Sequence, residues 1–167
     1  MAESDSIEDN SEAANLERAK ACCFRLLAYR ARSEAELGQR LRARGFAAPV
    51  IEQTLARLRE LGMVDDAEFA EAWVESRLAQ RSMGPVALRS ELRRKGVPGD
   101  VAARAIDTRL GEEAQFDLAL ALARKRLTGP QTSDPKVLAR IRRLLVQRGF
   151  SSDIVQTVIA RIRREEE

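Results

Sequence analysis

The sequence predicts an all-α protein, an elongated tandem array of three three-helix modules, each with a helix-turn-helix-like pair. Three observations carry this. Three stretches superpose on Gly45, Gly96 and Gly149, their apolar residues recur at helical spacing, and each is preceded by a further amphipathic stretch. The superposed segments are "ELGQRLRARGFAAPVIEQTLARL", "ALRSELRRKGVPGDVAARAIDTRL" and "LARIRRLLVQRGFSSDIVQTVIARI". Eight residues before each glycine stand Leu37, Leu88 and Ile141, and four before it Leu41, Leu92 and Leu145. One residue after it stand Phe46, Val97 and Phe150, five after it Val50, Val101 and Ile154, and ten after it Leu55, Ile106 and Ile159. This is a helix, a glycine-ended turn and a second helix.

Taken in chain order, residues 1–15 hold five acidic residues and no basic ones, and read as a disordered solubilising tail. Module 1 spans 16–62 and opens with a helix over 16–31. On it Cys22 and Cys23 share the apolar side with Leu26 and Leu27; adjacent cysteines suit neither an ordinary disulfide nor a CxxC zinc site, so they read as core. Ser33 with Glu36 reads as a capping box for the second helix. Module 2 spans 63–111, its first helix over 66–80 capped by Asp65 or Asp66, its second opening at Gly84-Pro85. Module 3 spans 112–164, with a first helix over 113–127 and a long connection, "TGPQTSDP" at 128–135, expected as a hinge or variable contact point. An acidic end, 165–167, follows.

The central module poses a question. On a helix, Phe69, Ala70, Trp73, Val74 and Leu78 cover one half of the circumference, Glu68, Glu71 and Glu75 the other, and Arg77 falls near the middle of the apolar arc. Phe69, Trp73, Leu88 and Leu92 are expected in the structural core, together with the turn glycines Gly45, Gly96 and Gly149. Two readings of Arg77 stay open. Either its guanidinium pairs with a carboxylate, Glu91 being the candidate, while its stem packs beside Trp73, or Trp73 and Arg77 form an exposed contact for a partner.

Charge narrows the partner. All 29 basic residues and only 18 of the 26 acidic ones lie within 16–164, a net of +11 that favours phosphates or a carboxylate-rich surface. Because 25 of the basic residues are arginine in an alanine-rich chain, codon bias contributes to that excess. There is no histidine and no GxxxxGK[ST], GxGxxG or GxSxG motif, and the carboxylates fall on polar faces or at caps. No enzyme, cofactor or metal is therefore expected. No run of 18 apolar residues and no signal-peptide pattern is present, so the location is expected to be cytoplasmic.

Nucleic acid is the main competing partner. The would-be reading helices expose Glu52, Gln53, Ala103, Arg104, Gln156 and Thr157, a poor set for reading bases. Sequence-independent backbone contact by Arg42, Arg44, Arg93, Arg94, Arg140, Arg142 and Arg143 remains the alternative. The basic residue before each glycine, Arg44, Lys95 and Arg148, is accounted for by its place at a helix C-terminus. Folding of the acidic tail over the basic body, in competition with an anionic partner, is a sharper expectation for 1–14.

The central pattern Asp65-Asp66, Phe69-Ala70, Trp73-Val74, Arg77, Gly84, Leu88, Glu91-Leu92 and Lys95-Gly96-Val97 resembles the signature of the RecX family of bacterial recombinase regulators. The stretch "RARSEAELGQRLRARGF" is similar to that family's opening element. The resemblance covers roughly residues 18–164 and is looser in the third module, where the 128–135 connection and Leu144-Leu145-Val146 depart from the central pattern. It implies a regulator, usually an inhibitor, that binds the RecA filament on single-stranded DNA along its groove. It implies effects on ATP hydrolysis, strand exchange and coprotease activity in DNA repair and the SOS response. A monomer is expected, with direct DNA contact left open. Charge and placement nominate Arg77, Arg81, Arg93, Lys95, Arg124, Arg126, Arg140 and Arg143 as partner-binding residues; the resemblance supports only Arg77 and Lys95 by position.

Overall fold

The computed structural model describes residues 2–127 and 134–165, with side chains from residue 13 onward. Among these residues there are nine α-helices and no strand: α1 (Ala2–Tyr29), α2 (Glu34–Ala43), α3 (Ala48–Glu60), α4 (Asp66–Arg81), α5 (Pro85–Arg94), α6 (Gly99–Arg109), α7 (Glu112–Arg124), α8 (Pro135–Gln147) and α9 (Ser152–Arg164). Most of the connection expected as a hinge, 128–133, lies outside the described residues, as do Glu166 and Glu167. Among the described residues no helix is long and apolar enough to cross a membrane.

Local chemistry explains the helix ends. Ser33 caps α2 by accepting from the Glu36 N–H at 3.2 Å, and Asp65 caps α4 by accepting from Ala67 and Glu68 at 2.7 and 3.2 Å. Asp66 instead accepts from the Glu34 N–H at 2.8 Å. Asp134 caps α8 ahead of Pro135, and Ser151 caps α9. The helices α2 and α8 end in left-handed glycines, Gly45 and Gly149, both at φ +83°. There the N–H of Phe46 returns to the Leu41 carbonyl and that of Phe150 to Leu145, which satisfies carbonyls the helix leaves open.

The first residues differ from the sequence expectation. Residues 2–15, read above as disordered, continue α1 in one helix to Tyr29. Composition measured only their lack of apolar surface. Acidic residues at a helix N-terminus also complement its dipole, and that local preference is compatible with helix.

The chain divides into two compact units, Met1–Phe69 with Lys95–Pro98, and Ala70–Arg94 with Gly99–Glu167. In the first, Ala19, Cys22 and Cys23 from α1 pack with Leu37 and Leu41 from α2 and with Ile51, Leu55 and Leu58 from α3. Burial pushes the Cys23 thiol up to about 11, with Cys22 adding to the shift and Arg44 opposing it, so it is an uncharged core group at neutral pH. The turn Lys95–Pro98 belongs to this unit because the Ser33 hydroxyl donates to the Lys95 carbonyl and Gly96 lies against Ala35.

In the second unit Leu120 and Ala123 of α7 pack with Leu138, Ile141 and Leu145 of α8 and with Val155, Val158, Ile159 and Ile162 of α9. Leu88 and Leu92 of α5 and Ile106 of α6 are fully buried as well. Six residues after the glycine Ile51, Ala102 and Val155 are buried in all three repeats; five residues after it, where an apolar residue recurs, only Val50 is buried, Val101 and Ile154 being half-buried.

A second junction holds α5 inside this unit. Gly84 donates to the Arg148 carbonyl at 2.7 Å and Val86 to that of Gly149 at 3.0 Å, while the Arg148 guanidinium donates to the Arg81 carbonyl. Backbone approaches so closely that a Cβ on Gly84 would stand 2.4 Å from the Gly149 oxygen. Both junctions use the start of one module's second helix to hold the next glycine turn.

Candidate partner-binding surface

The arginine in the apolar arc of α4 has a partner on α5. Arg77 Nε donates to Glu91 Oε2 at 2.7 Å, Trp73 Nε1 donates to the same oxygen at 2.9 Å, and the guanidinium carbon lies 4.2 Å from the centre of the Trp73 ring. The side chains of Arg77 and Glu91 retain only 20% and 15% exposure. Burial alone would raise the Glu91 carboxyl. Hydrogen bonds from Arg77 and Trp73, with the charges of Arg77 and Arg94, outweigh it and hold the group below the usual carboxylate range. Glu91 is the carboxylate that the placement of Arg77 called for. Phe69, Leu88 and Leu92 are each buried as expected, whereas Trp73 is partly exposed, its indole N–H turned to the Glu91 carboxylate.

Glu36 forms a comparable hub in the first unit. It accepts from Arg30 through both oxygens at 3.0 Å and from Lys95 at 2.9 Å. Burial works against its charge, yet these hydrogen bonds and the two cations lower its carboxyl to about 2. This corrects half of the expected capping box. Ser33 does cap α2, but Glu36, given two cations, turns to them.

The remaining nominated residues separate by what already occupies them. Arg124 pairs with Glu165 at 2.6 Å, and Arg161 shares that carboxylate at 3.0 Å. Arg81 is exposed, with its carbonyl engaged by Arg148. Arg93, Arg126, Arg140 and Arg143 are exposed and make no ion pair among the described residues. Gly45 and Gly96 are exposed turn residues rather than core, since a left-handed turn needs no burial, whereas Gly149 is buried. Among the described residues no group of His, Cys, Asp or Glu is arranged to hold a metal ion.

Sequence reasoning missed Glu36 and Arg148 as junction residues. Lys95 lies 59 residues from Glu36 and Arg148 lies 67 from Arg81, so spacing within one repeat carries no signal of either contact.

Models of protein families match the chain in three successive windows: the first three-helix domain of RecX over 19–58, the second over 65–106 and the third over 112–159. The chain belongs to the RecX family. A regulatory protein RecX from Amycolatopsis mediterranei (strain U-32) is 42% identical over 149 residues, covering 89% of this chain and 85% of the relative. One from Mycobacterium sp. (strain JLS) is 40% identical over 156 residues, covering 91% and 85%. A crystal structure of RecX from Lactobacillus salivarius has a TM-score of 0.81 over 90% of this chain and 97% of that one, at 23% identity. A further crystal structure of regulatory protein RecX gives 0.79 over 93% and 76%, at 24% identity. Both share the fold. Within this RecX-family chain the Trp73–Arg77–Glu91 cluster falls in the second domain, and Arg124, Arg126, Arg140 and Arg143 fall in the third.

Proposed function

We propose that this RecX-family chain is a non-enzymatic regulator, usually an inhibitor, of the RecA recombinase, binding its filament on single-stranded DNA along the groove. The observation that carries the reading is the match of all three RecX domains in order, together with relatives named regulatory proteins over most of the chain. Physical chemistry supports it. The exposed arginines Arg93, Arg126, Arg140 and Arg143 offer positive charge to a groove holding DNA phosphates and protomer carboxylates. Tandem domains on one chain raise one another's effective concentration at successive protomers. Inhibition follows when the bound filament conformation differs from those needed for turnover, strand exchange or coprotease action.

The test is ATP hydrolysis by the cognate RecA on single-stranded DNA, with this chain titrated from substoichiometric to equimolar and bare-DNA binding measured at the same salt. Inhibition well below one molecule per protomer, without occupancy of bare DNA, is the expected result. The exposed arginines also favour a second reading, a sequence-independent DNA-binding helical module. Tight, salt-sensitive binding to bare DNA with no effect on hydrolysis would establish that reading and overturn the first.

A further inference from the structure

We propose that a groove between α8 and α9 docks an acidic, amphipathic segment of a protein partner. The repeats first single it out. Three residues before the turn glycine, the first two repeats carry exposed arginines, Arg42 and Arg93, and the third carries Val146. The position faces solvent in all three, so the repeat does not require an apolar residue there. Val146 is nonetheless 56% exposed.

It does not stand alone. Pro135, Ala139 and Val146, with the stem of Arg142, recur at helical spacing along one face of α8, beside the inward-facing Ile141 and Leu145, with the buried Leu138 at the border between them. With Arg163 of α9 they line a groove of about 470 Å³. Its apolar floor is rimmed by Arg142, Arg143 and Arg163, and among the described residues no carboxylate lines it. The helix α8 contains no acidic residue, and among the described residues these three arginines make no ion pair.

Complementarity selects the occupant. An apolar stripe calls for aliphatic side chains at helical spacing, and three cations that make no ion pair among the described residues call for carboxylates beside them. A nucleic-acid strand would satisfy the arginines but would lay phosphates and sugars over Val146 and Ala139, and among the described residues no aromatic ring lines the groove to stack a base. This deepens the regulatory reading by giving the third domain a contact of its own, and only the identity of the partner rests on that reading.

The test uses the full chain and a fluorescein-labelled 15-residue peptide with leucines at i, i+4 and i+7 and glutamates elsewhere on its exposed face. A same-charge peptide with serines replacing the leucines, and labelled oligothymidylate, are the comparison probes. The leucine peptide is expected to bind at least tenfold more tightly than the serine peptide. Val146→Arg, which installs the residue the other repeats carry, is expected to lose about tenfold with an unchanged melting temperature; Arg142→Ser with Arg143→Ser loses at least as much. Equal binding of the two peptides, or no loss in Val146→Arg, overturns the proposal. So does peptide displacement by oligothymidylate with tighter oligonucleotide binding in Val146→Arg, which assigns the groove to nucleic acid. A dimer of the wild-type chain dissociated by Val146→Arg assigns it to a second copy and overturns it too. RecA is absent from these measurements: an inert groove with intact inhibition of ATP hydrolysis sinks only this proposal, and peptide binding without any effect on hydrolysis sinks only the regulatory reading.

Discussion

Arg77 on α4 and Glu91 on α5 meet at 2.7 Å, on a carboxylate oxygen that also accepts from Trp73. The pair joins two helices through side chains that are largely buried. Removing Glu91 therefore leaves a partly buried cation and takes an acceptor from the indole at the same time. Glu91→Ala is expected to cost about 2 kcal/mol, and Arg77→Ala somewhat less because the carboxylate it leaves still accepts from the Trp73 indole. In a double-mutant cycle the pair should couple by about 1 kcal/mol. Urea unfolding followed by the fluorescence of Trp73, the single tryptophan, measures all three variants. Strict additivity would show that the pair contributes no net stability.

Glu36 gives the fold a defined acid limit. Its carboxyl falls from an ordinary 4.5 to about 2 in the folded chain, so the folded state holds this proton less tightly than the unfolded one. The resulting stability is complete above the unfolded value and is lost as pH falls from about 5 towards 2. Glu36→Gln should be less stable than wild type at pH 7 by about 2 kcal/mol, allowing for solvent screening of the exposed side of Arg30. The two proteins should converge near the folded pKa. Parallel pH profiles from pH 7 to pH 2.5 would place the acid sensitivity on other carboxylates.

What could be read from residues alone follows from the range over which the signal acts. The glycine-ended turns were legible because Gly45, Leu41 and Phe46 lie within one helical turn and its exit. Glu91 was legible because a charge in an apolar arc requires a partner on the facing helix. The same reasoning placed Trp73 too deep, since periodicity gives a direction but not the depth that its N–H partner fixes. Lys95 with Glu36, and Gly84 with Gly149, join consecutive repeats, and no internal period encodes them. For the partner surface, charge nominates Lys95 and Arg124 alongside Arg93 and Arg140, but only the folded structure separates the cations already engaged from those that make no ion pair among the described residues.

Two glycines should fail for different reasons. At Gly84 an added Cβ would stand 2.4 Å from the backbone oxygen of Gly149, with no flexible side chain to yield. At Gly45 nothing lies within 4 Å, and only the φ of +83° opposes a side chain. Gly84→Ala is accordingly expected to cost about 3 kcal/mol, in the range of severe overpacking, and Gly45→Ala about 1 kcal/mol, the penalty of a left-handed conformation. Denaturant midpoints at constant slope decide the order. A Gly84→Ala protein as stable as Gly45→Ala would mean that the α5 junction with the Gly149 turn relaxes freely.

Arg140 and Arg143 separate binding from folding in a way Arg77 cannot. Both are exposed on α8 and make no ion pair among the described residues, so reversing their charge removes no internal partner and should shift stability by less than about 0.5 kcal/mol. If the regulatory reading holds, each lies at the rim of a contact with an anionic surface, where charge reversal costs on the order of 1 kcal/mol and acts mainly on association. Arg140→Glu with Arg143→Glu should then raise the concentration giving half-inhibition of RecA ATP hydrolysis by roughly tenfold or more. The dependence of inhibition on salt should weaken as well, because fewer charges remain to be screened. Glu91→Ala makes the opposite comparison, lowering the melting temperature first. An unchanged half-inhibition concentration in the α8 variant, with hydrolysis still inhibited by wild type, would move the partner contact off this helix and onto exposed residues such as Arg93 or Arg126.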